Sequence, residues 1–198
     1  MSGSQITQVD VDLYLHVRVL ISMILGLSVT RLVGGVASLI HPSRYRVSLI
    51  HLGWVAWTLV NVLAFWWWEF RLRLVEHWNM GLYLFVCLYA SMYYFLSALL
   101  FPEDVDRRGG YLDDFMARRV WFFGFVALSE VLDLVDTWIK GTDYFRSLGM
   151  EYFAHISAFV VLCGIGARTR NPTFQSFFVI FALMYETGNF VRYFYDLS

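Results

Sequence analysis

The chain has 198 residues, of which 59% are hydrophobic and 16% charged, and its formal net charge is −1. Soluble domains average about 25% charged residues, so this composition selects a membrane protein over a soluble one. With no basic tract and no excess of positive charge, nucleic acid is excluded as an expected partner.

Apolar stretches of about 20 residues are long enough to cross a hydrocarbon core near 30 Å thick. Six such spans are expected, over residues 18–40, 47–70, 80–101, 118–139, 147–167 and 173–195. Backbone groups in lipid must find their hydrogen bonds within their own segment, so each span is expected to be helical. The expected fold class is therefore all-α, a polytopic bundle of six transmembrane helices forming one domain over 1–198, with no soluble domain.

Span 1 is preceded by Asp10 and Asp12 instead of basic residues and contains Arg31, so it reads as a retained span and not a cleaved signal. His16, Leu27, Arg31 and Gly35 share one side of it. Gly26, Thr30, Gly34 and Ser38 recur every fourth residue, and such a ridge of small residues lets a second helix come close. An internal helix contact is the favoured reading of that ridge, and a homo-oligomer or membrane-partner contact is the other. Span 2 places His51, Trp54, Thr58, Asn61, Phe65 and Glu69 on one face and ends in Trp66, Trp67 and Trp68, read as an interfacial belt. Span 3 offers Tyr83, Cys87, Ala90, Tyr94 and Ser97.

Span 4 carries Arg119, Phe122, Val126, Glu130, Asp133 and Thr137 as a stripe, with Asp136 at its edge. Gly141 after Lys140 suits its C-terminus. Span 5 offers Glu151 and His155 four apart, and span 6 offers Gln175, Ala182, Glu186, Asn189 and Tyr193. Asn171-Pro172 reads as an N-cap followed by proline at the first helical position. Pro42, Pro102 and Pro172 all fall at span boundaries, so no proline-broken helix is expected. Cys87 and Cys163 lie inside spans and read as free thiols.

At about 1.5 Å of rise per residue, Arg31, Glu130 and Glu186 fall midway through their spans. Asn61, Glu69, Asp133, Asp136, Glu151, His155, Asn189, Arg192 and His16 lie between that midplane and the surface bearing the termini. A charge at the centre of a spanning helix costs about 2.5–3.5 kcal/mol even on the lenient insertion scale. Arg31, Glu130, Asp133 and Glu186 are therefore expected to face inward, around a chamber that opens toward the terminal side. Equal depth suggests pairing Arg31 with Glu130 or Glu186, and Phe122, Val126 and Tyr94 are expected to close the chamber on its far side.

Several acids with few bases at one depth point to a proton- or cation-handling transporter or channel-like protein. The expected ion- or ligand-binding residues are Arg31, Asn61, Glu130, Asp133, His155, Glu186 and Asn189. A purely structural ion-pair cluster, a non-catalytic subunit or assembly factor of a membrane complex, and a membrane-embedded sensor are the alternatives. No catalytic motif and no cofactor is indicated. Glu130/Asp133, Glu151/His155 and Asp12/His16 have helical ligand spacing but no metalloenzyme motif, so metal binding stays open. His51 and His155 sit too far apart in depth to share a haem, and the single lysine, Lys140, is placed at an interface, which argues against retinal. Eight basic residues after spans 1, 3 and 5 (Arg44, Arg46, Arg107, Arg108, Arg118, Arg119, Arg168 and Arg170) face six on the opposite side. The positive-inside rule then places both termini outside a bacterial inner membrane.

Overall fold

A computed structural model describes residues 8–40, 47–75, 78–102 and 110–192. Pro42, Arg44, Arg46, Arg107, Arg108 and Tyr193 lie outside the described residues. All regular structure among those described is helical: α1 (Gln8–Ile40), α2 (Leu49–Trp68) continued by a 3-10 segment (Glu69–Leu74), α3 (Met80–Leu100), α4 (Gly110–Ile139), α5 (Thr142–Ser147), α6 (Gly149–Arg168) and α7 (Pro172–Arg192). The expected six helices are thus seven, because the connection before span 5 holds the short α5. Gly141 (φ 134°) and Gly149 (φ 68°) bracket that helix with backbone geometry L residues rarely adopt. Helix α1 also starts well before the expected Val17–Arg18 boundary, because Tyr14 and Val17 join the core and Tyr14 meets the Trp78 ring at 6.3 Å.

Local chemistry sets several helix starts. The Asn79 side chain accepts a 2.9 Å hydrogen bond from the Leu82 amide at the start of α3. Asn171 accepts one of 3.0 Å from the Thr173 amide, and Pro172 opens α7 where no backbone donor is required.

Four of these segments are long and apolar enough to cross a membrane: Asp12–Leu39, Leu49–Arg73, Met80–Leu100 and Gly149–Arg168. Leu15, Met23, Leu27, Leu84, Val161 and Ile165 are exposed on them, as lipid-facing side chains are. The chain is compatible with an integral membrane protein on that basis. Helices α4 and α7 are long enough too. Glu130, Asp133 and Asp136 on the first, and Gln175, Glu186 and Asn189 on the second, lower their apolar character.

Helix α4 packs on α6 and α3, α1 on α3, and α2 on α7. Their shared centre is Trp54, fully buried, with the rings of Phe178, Phe123, Phe122 and Trp57 at 5.0, 5.2, 5.4 and 5.6 Å. Phe159 extends the layer from α6, 5.3 Å from Phe178. Aromatic pairs of this kind contribute about 0.5–1.5 kcal/mol each beyond the area they bury.

The ridge on α1 turns outward. Gly26, Thr30, Gly34 and Ser38 are all exposed, and a Cβ added at Gly26 or Gly34 would meet nothing within 4 Å. The Thr30 and Ser38 hydroxyls donate to carbonyls of their own helix, Gly26 at 2.8 Å and Gly35 at 2.6 Å. The favoured internal contact is therefore not made by this ridge. Gly35, one residue round the helix, makes the close approach instead, with the Phe101 ring lying where its side chain would be.

Candidate functional site

One cavity of about 190 Å³ lies at the end of the bundle where α1 begins and α7 finishes. Its wall is built chiefly from the last turns of α2, the middle of α3, the last three turns of α4, the start of α6 and the end of α7. Alternating helix directions bring those five segments to one level, which is why residues far apart in sequence share it. Asn61, Glu130, Asp133, His155, Glu186 and Asn189 all line it. So do Glu69, Asp136, Glu151, Lys140 and Arg192.

Asp133 is the best-held acid. Tyr152 of α6 donates its hydroxyl to Asp133 Oδ2 at 2.6 Å, and Tyr89 of α3 donates to Oδ1 at 3.3 Å. The Thr137 hydroxyl, one turn along α4, meets the Tyr152 oxygen at 3.1 Å. This network ties α3, α4 and α6 together through one carboxyl. Glu130 and Glu186 differ: neither has a hydrogen-bond or ion-pair partner among the described residues, and each is half-buried in the wall. Glu130 is within electrostatic reach of both Asp133 and Glu186.

The positive charge comes from an unexpected residue. Lys140, just past α4, donates to Glu69 Oε1 at 2.9 Å and pairs with Asp136 one turn before it. Its side chain is 4% exposed, so the lysine placed at an interface by the sequence reading is a buried member of the cavity wall. Burial alone would lower its ammonium, but the charges of Glu69 and Asp136 outweigh that and hold it above its ordinary value. A lysine kept charged is a poor Schiff-base nucleophile. At the rim, Arg192 pairs with Glu151 at 2.7 Å, with both side chains more than half exposed.

Arg31 is not part of this site. Its Nε donates to the Phe101 carbonyl at 3.1 Å, and its guanidinium lies 6.0 Å from the Tyr94 ring centre. The expected pairing with Glu130 or Glu186 is corrected: α1 packs on α3, and the side of α1 bearing Arg31 meets the end of α3. Tyr94 accordingly stands beside Arg31, while the layer beyond the acids comprises Trp54, Phe122, Phe123, Val126, Phe159 and Phe178, all buried. Phe122 and Val126 keep their expected place in that layer, and Tyr94 does not.

The histidines separate. His155 lines the cavity with its ring stacked on Tyr185, centroids 3.7 Å apart and planes within 3°. His51 lies apart from the cavity, with Nε2 hydrogen-bonded to the Leu100 carbonyl at 2.8 Å and its ring stacked on Tyr111. His16 is exposed and is not part of the cavity wall. Among the described residues no three His, Cys, Asp or Glu side chains converge as metal ligands.

Glu69 was part of the expected polar stripe, but Tyr89, Tyr152 and Lys140 were not among the expected site residues. The i, i+4 spacing of Asp136 and Lys140 was the legible signal for the lysine. No family model, curated protein or solved structure matches the chain.

Proposed function

We propose that the protein is a six-span transporter or channel-like protein of a bacterial inner membrane that handles protons or a small cation through the acidic cavity. Helices α1, α2, α3, α4, α6 and α7 are the spans in this reading. The arginine tally orients both termini outside, so the cavity exchanges with the external side.

One observation carries the reading. Six carboxyls (Glu69, Glu130, Asp133, Asp136, Glu151 and Glu186) line the cavity against two cations, Lys140 and Arg192. A structural ion-pair cluster tends toward balance, because each unpaired buried charge is costly. Lys140 and Arg192 are engaged by Glu69, Asp136 and Glu151. Glu130 and Glu186 are left to bind or relay the cation, Asp133 shares their level, and Asn61, His155 and Asn189 supply orienting polar atoms. Arg31 falls outside this set. The buried aromatic layer around Trp54 acts as the barrier toward the other side.

Flux into proteoliposomes tests the proposal. Wild type is expected to dissipate an imposed pH or cation gradient, and Glu130→Gln or Glu186→Gln to lose that activity while remaining folded. Equal behaviour of all three proteins, matching empty vesicles, overturns it.

The exposed ridge on α1 favours a second reading, a subunit that docks a membrane partner or its own copy through Gly26, Thr30, Gly34 and Ser38. That reading predicts that Gly34→Leu changes the oligomeric or co-purified state and leaves flux absent in every variant.

A further inference from the structure

The walls between the carboxyls are aromatic. Phe65 meets Tyr89 edge-on at 4.8 Å and Tyr93 at 5.0 Å, forming one panel from α2 and α3. The stacked His155–Tyr185 pair forms another from α6 and α7. All five rings line the cavity together with Glu130 and Glu186. Ring faces attract a cation that sheds its water, and they serve organic ammonium groups particularly well because such groups are weakly hydrated. A bare metal ion instead asks for several oxygens converging on one point, and no such convergence of His, Cys, Asp or Glu exists among the described residues.

Glu69 and Asp136 are 6% and 1% exposed and are taken up by Lys140, which leaves Glu130 and Glu186 as the acids of the wall that can meet a cation. Size agrees as well: a cavity of about 150 Å³ is enough for a benzene-sized molecule, and this one is about 190 Å³.

From this geometry we infer that the cavity binds a small organic ammonium ion, with the cationic head between Glu130 and Glu186 and its carbon substituents against the Phe65–Tyr89–Tyr93 and His155–Tyr185 panels. The inference rests on the cation-handling reading and names the chemical class of the cation. Asp133 is not the primary partner, because Tyr152 and Tyr89 already occupy its oxygens.

Calorimetric titration of the purified protein in detergent, with choline as the probe, tests it. The controls are sodium at equal ionic strength and the neutral analogue carrying carbon in place of the quaternary nitrogen. Saturable choline binding is expected, with neither control binding. Glu130→Gln and Glu186→Gln are each expected to weaken it roughly tenfold or more, as loss of a buried charge partner does. Tyr185→Leu is expected to weaken it about tenfold and Tyr185→Phe less than about threefold, because phenylalanine restores the ring face. Each variant is first checked for wild-type elution and helicity, so that lost folding is not read as lost binding.

Sodium binding as well as choline, the neutral analogue binding equally, or Tyr185→Leu matching wild type in a folded protein each overturns the inference. Carboxylate-dependent gradient dissipation in vesicles without choline binding sinks this inference and leaves cation handling standing. Choline binding without any flux overturns the transport reading and keeps the site.

Discussion

Lys140 and Glu69 meet at 2.9 Å inside the protein, with side chains 4% and 7% exposed. One follows α4 and the other follows α2, so the pair fastens the ends of two helices within the wall of the acidic cavity. Removing one partner of a buried ion pair strands the other charge, at a cost of about 3–5 kcal/mol. Lys140→Met strands both Glu69 and Asp136 and is expected to lose stability in that range. The Lys140→Met/Glu69→Gln double variant is expected to recover part of the loss. Denaturant unfolding in detergent, followed by tryptophan fluorescence, measures both.

The Tyr152 hydroxyl predicts a smaller effect. Tyr152→Phe deletes the 2.6 Å hydrogen bond to Asp133 and the contact with Thr137. Hydrogen bonds to charged groups contribute about 1.5–3 kcal/mol, so the expected loss lies toward that range. Asp133→Asn in the Tyr152→Phe background should then cost less than it does alone, because the two residues share one interaction. A double-mutant cycle reads the coupling, and additivity of the two changes contradicts it.

Gly35 and Gly34 give a contrast between neighbours. A side chain at Gly35 lands on the Phe101 ring, whereas one at Gly34 meets open space. Overpacking of a filled site costs about 1–3 kcal/mol, so Gly35→Val is expected to be destabilised and Gly34→Val to unfold like wild type. Matching unfolding curves for the two variants contradict the packing described for α1.

Much of the cavity is legible in the sequence. Helical periodicity puts Glu130 and Asp133 on one face of α4, and Glu186 and Asn189 on one face of α7. The cost of charge in lipid then turns those faces inward. Depth, however, is a single coordinate. It placed Arg31 level with Glu130 and Glu186 without saying which helices are neighbours, and α1 packs on α3. The same limit hid Lys140: judged by its place after a span it belonged to the surface, while its pairing with Glu69 depends on α2 and α4 ending side by side. Tyr152 and Tyr89 were invisible for a different reason. Tyrosines are common in membrane helices as packing and belt residues, and only the fold brings two of their hydroxyls onto one carboxyl. The helix count exceeds the expected six at α5, Thr142–Ser147, a short helix bracketed by the positive-φ glycines Gly141 and Gly149 that hydropathy does not register.

Orientation has its own test. The charge tally predicts that reporter fusions at either terminus are active only outside the cytoplasm. A terminus found in the cytoplasm reverses the side to which the cavity opens and leaves its wall unchanged.

The account depends most on water reaching the acids from the surface that bears the termini. Cysteine placed at Asn189 or Asn61, with Cys87 and Cys163 replaced by serine or alanine, tests that directly in vesicles of known sidedness. A membrane-impermeant maleimide added on the terminal side is expected to modify both positions, and the same reagent on the opposite side neither. Protection from the terminal side, or modification from the opposite side alone, contradicts an acidic hollow open at that end.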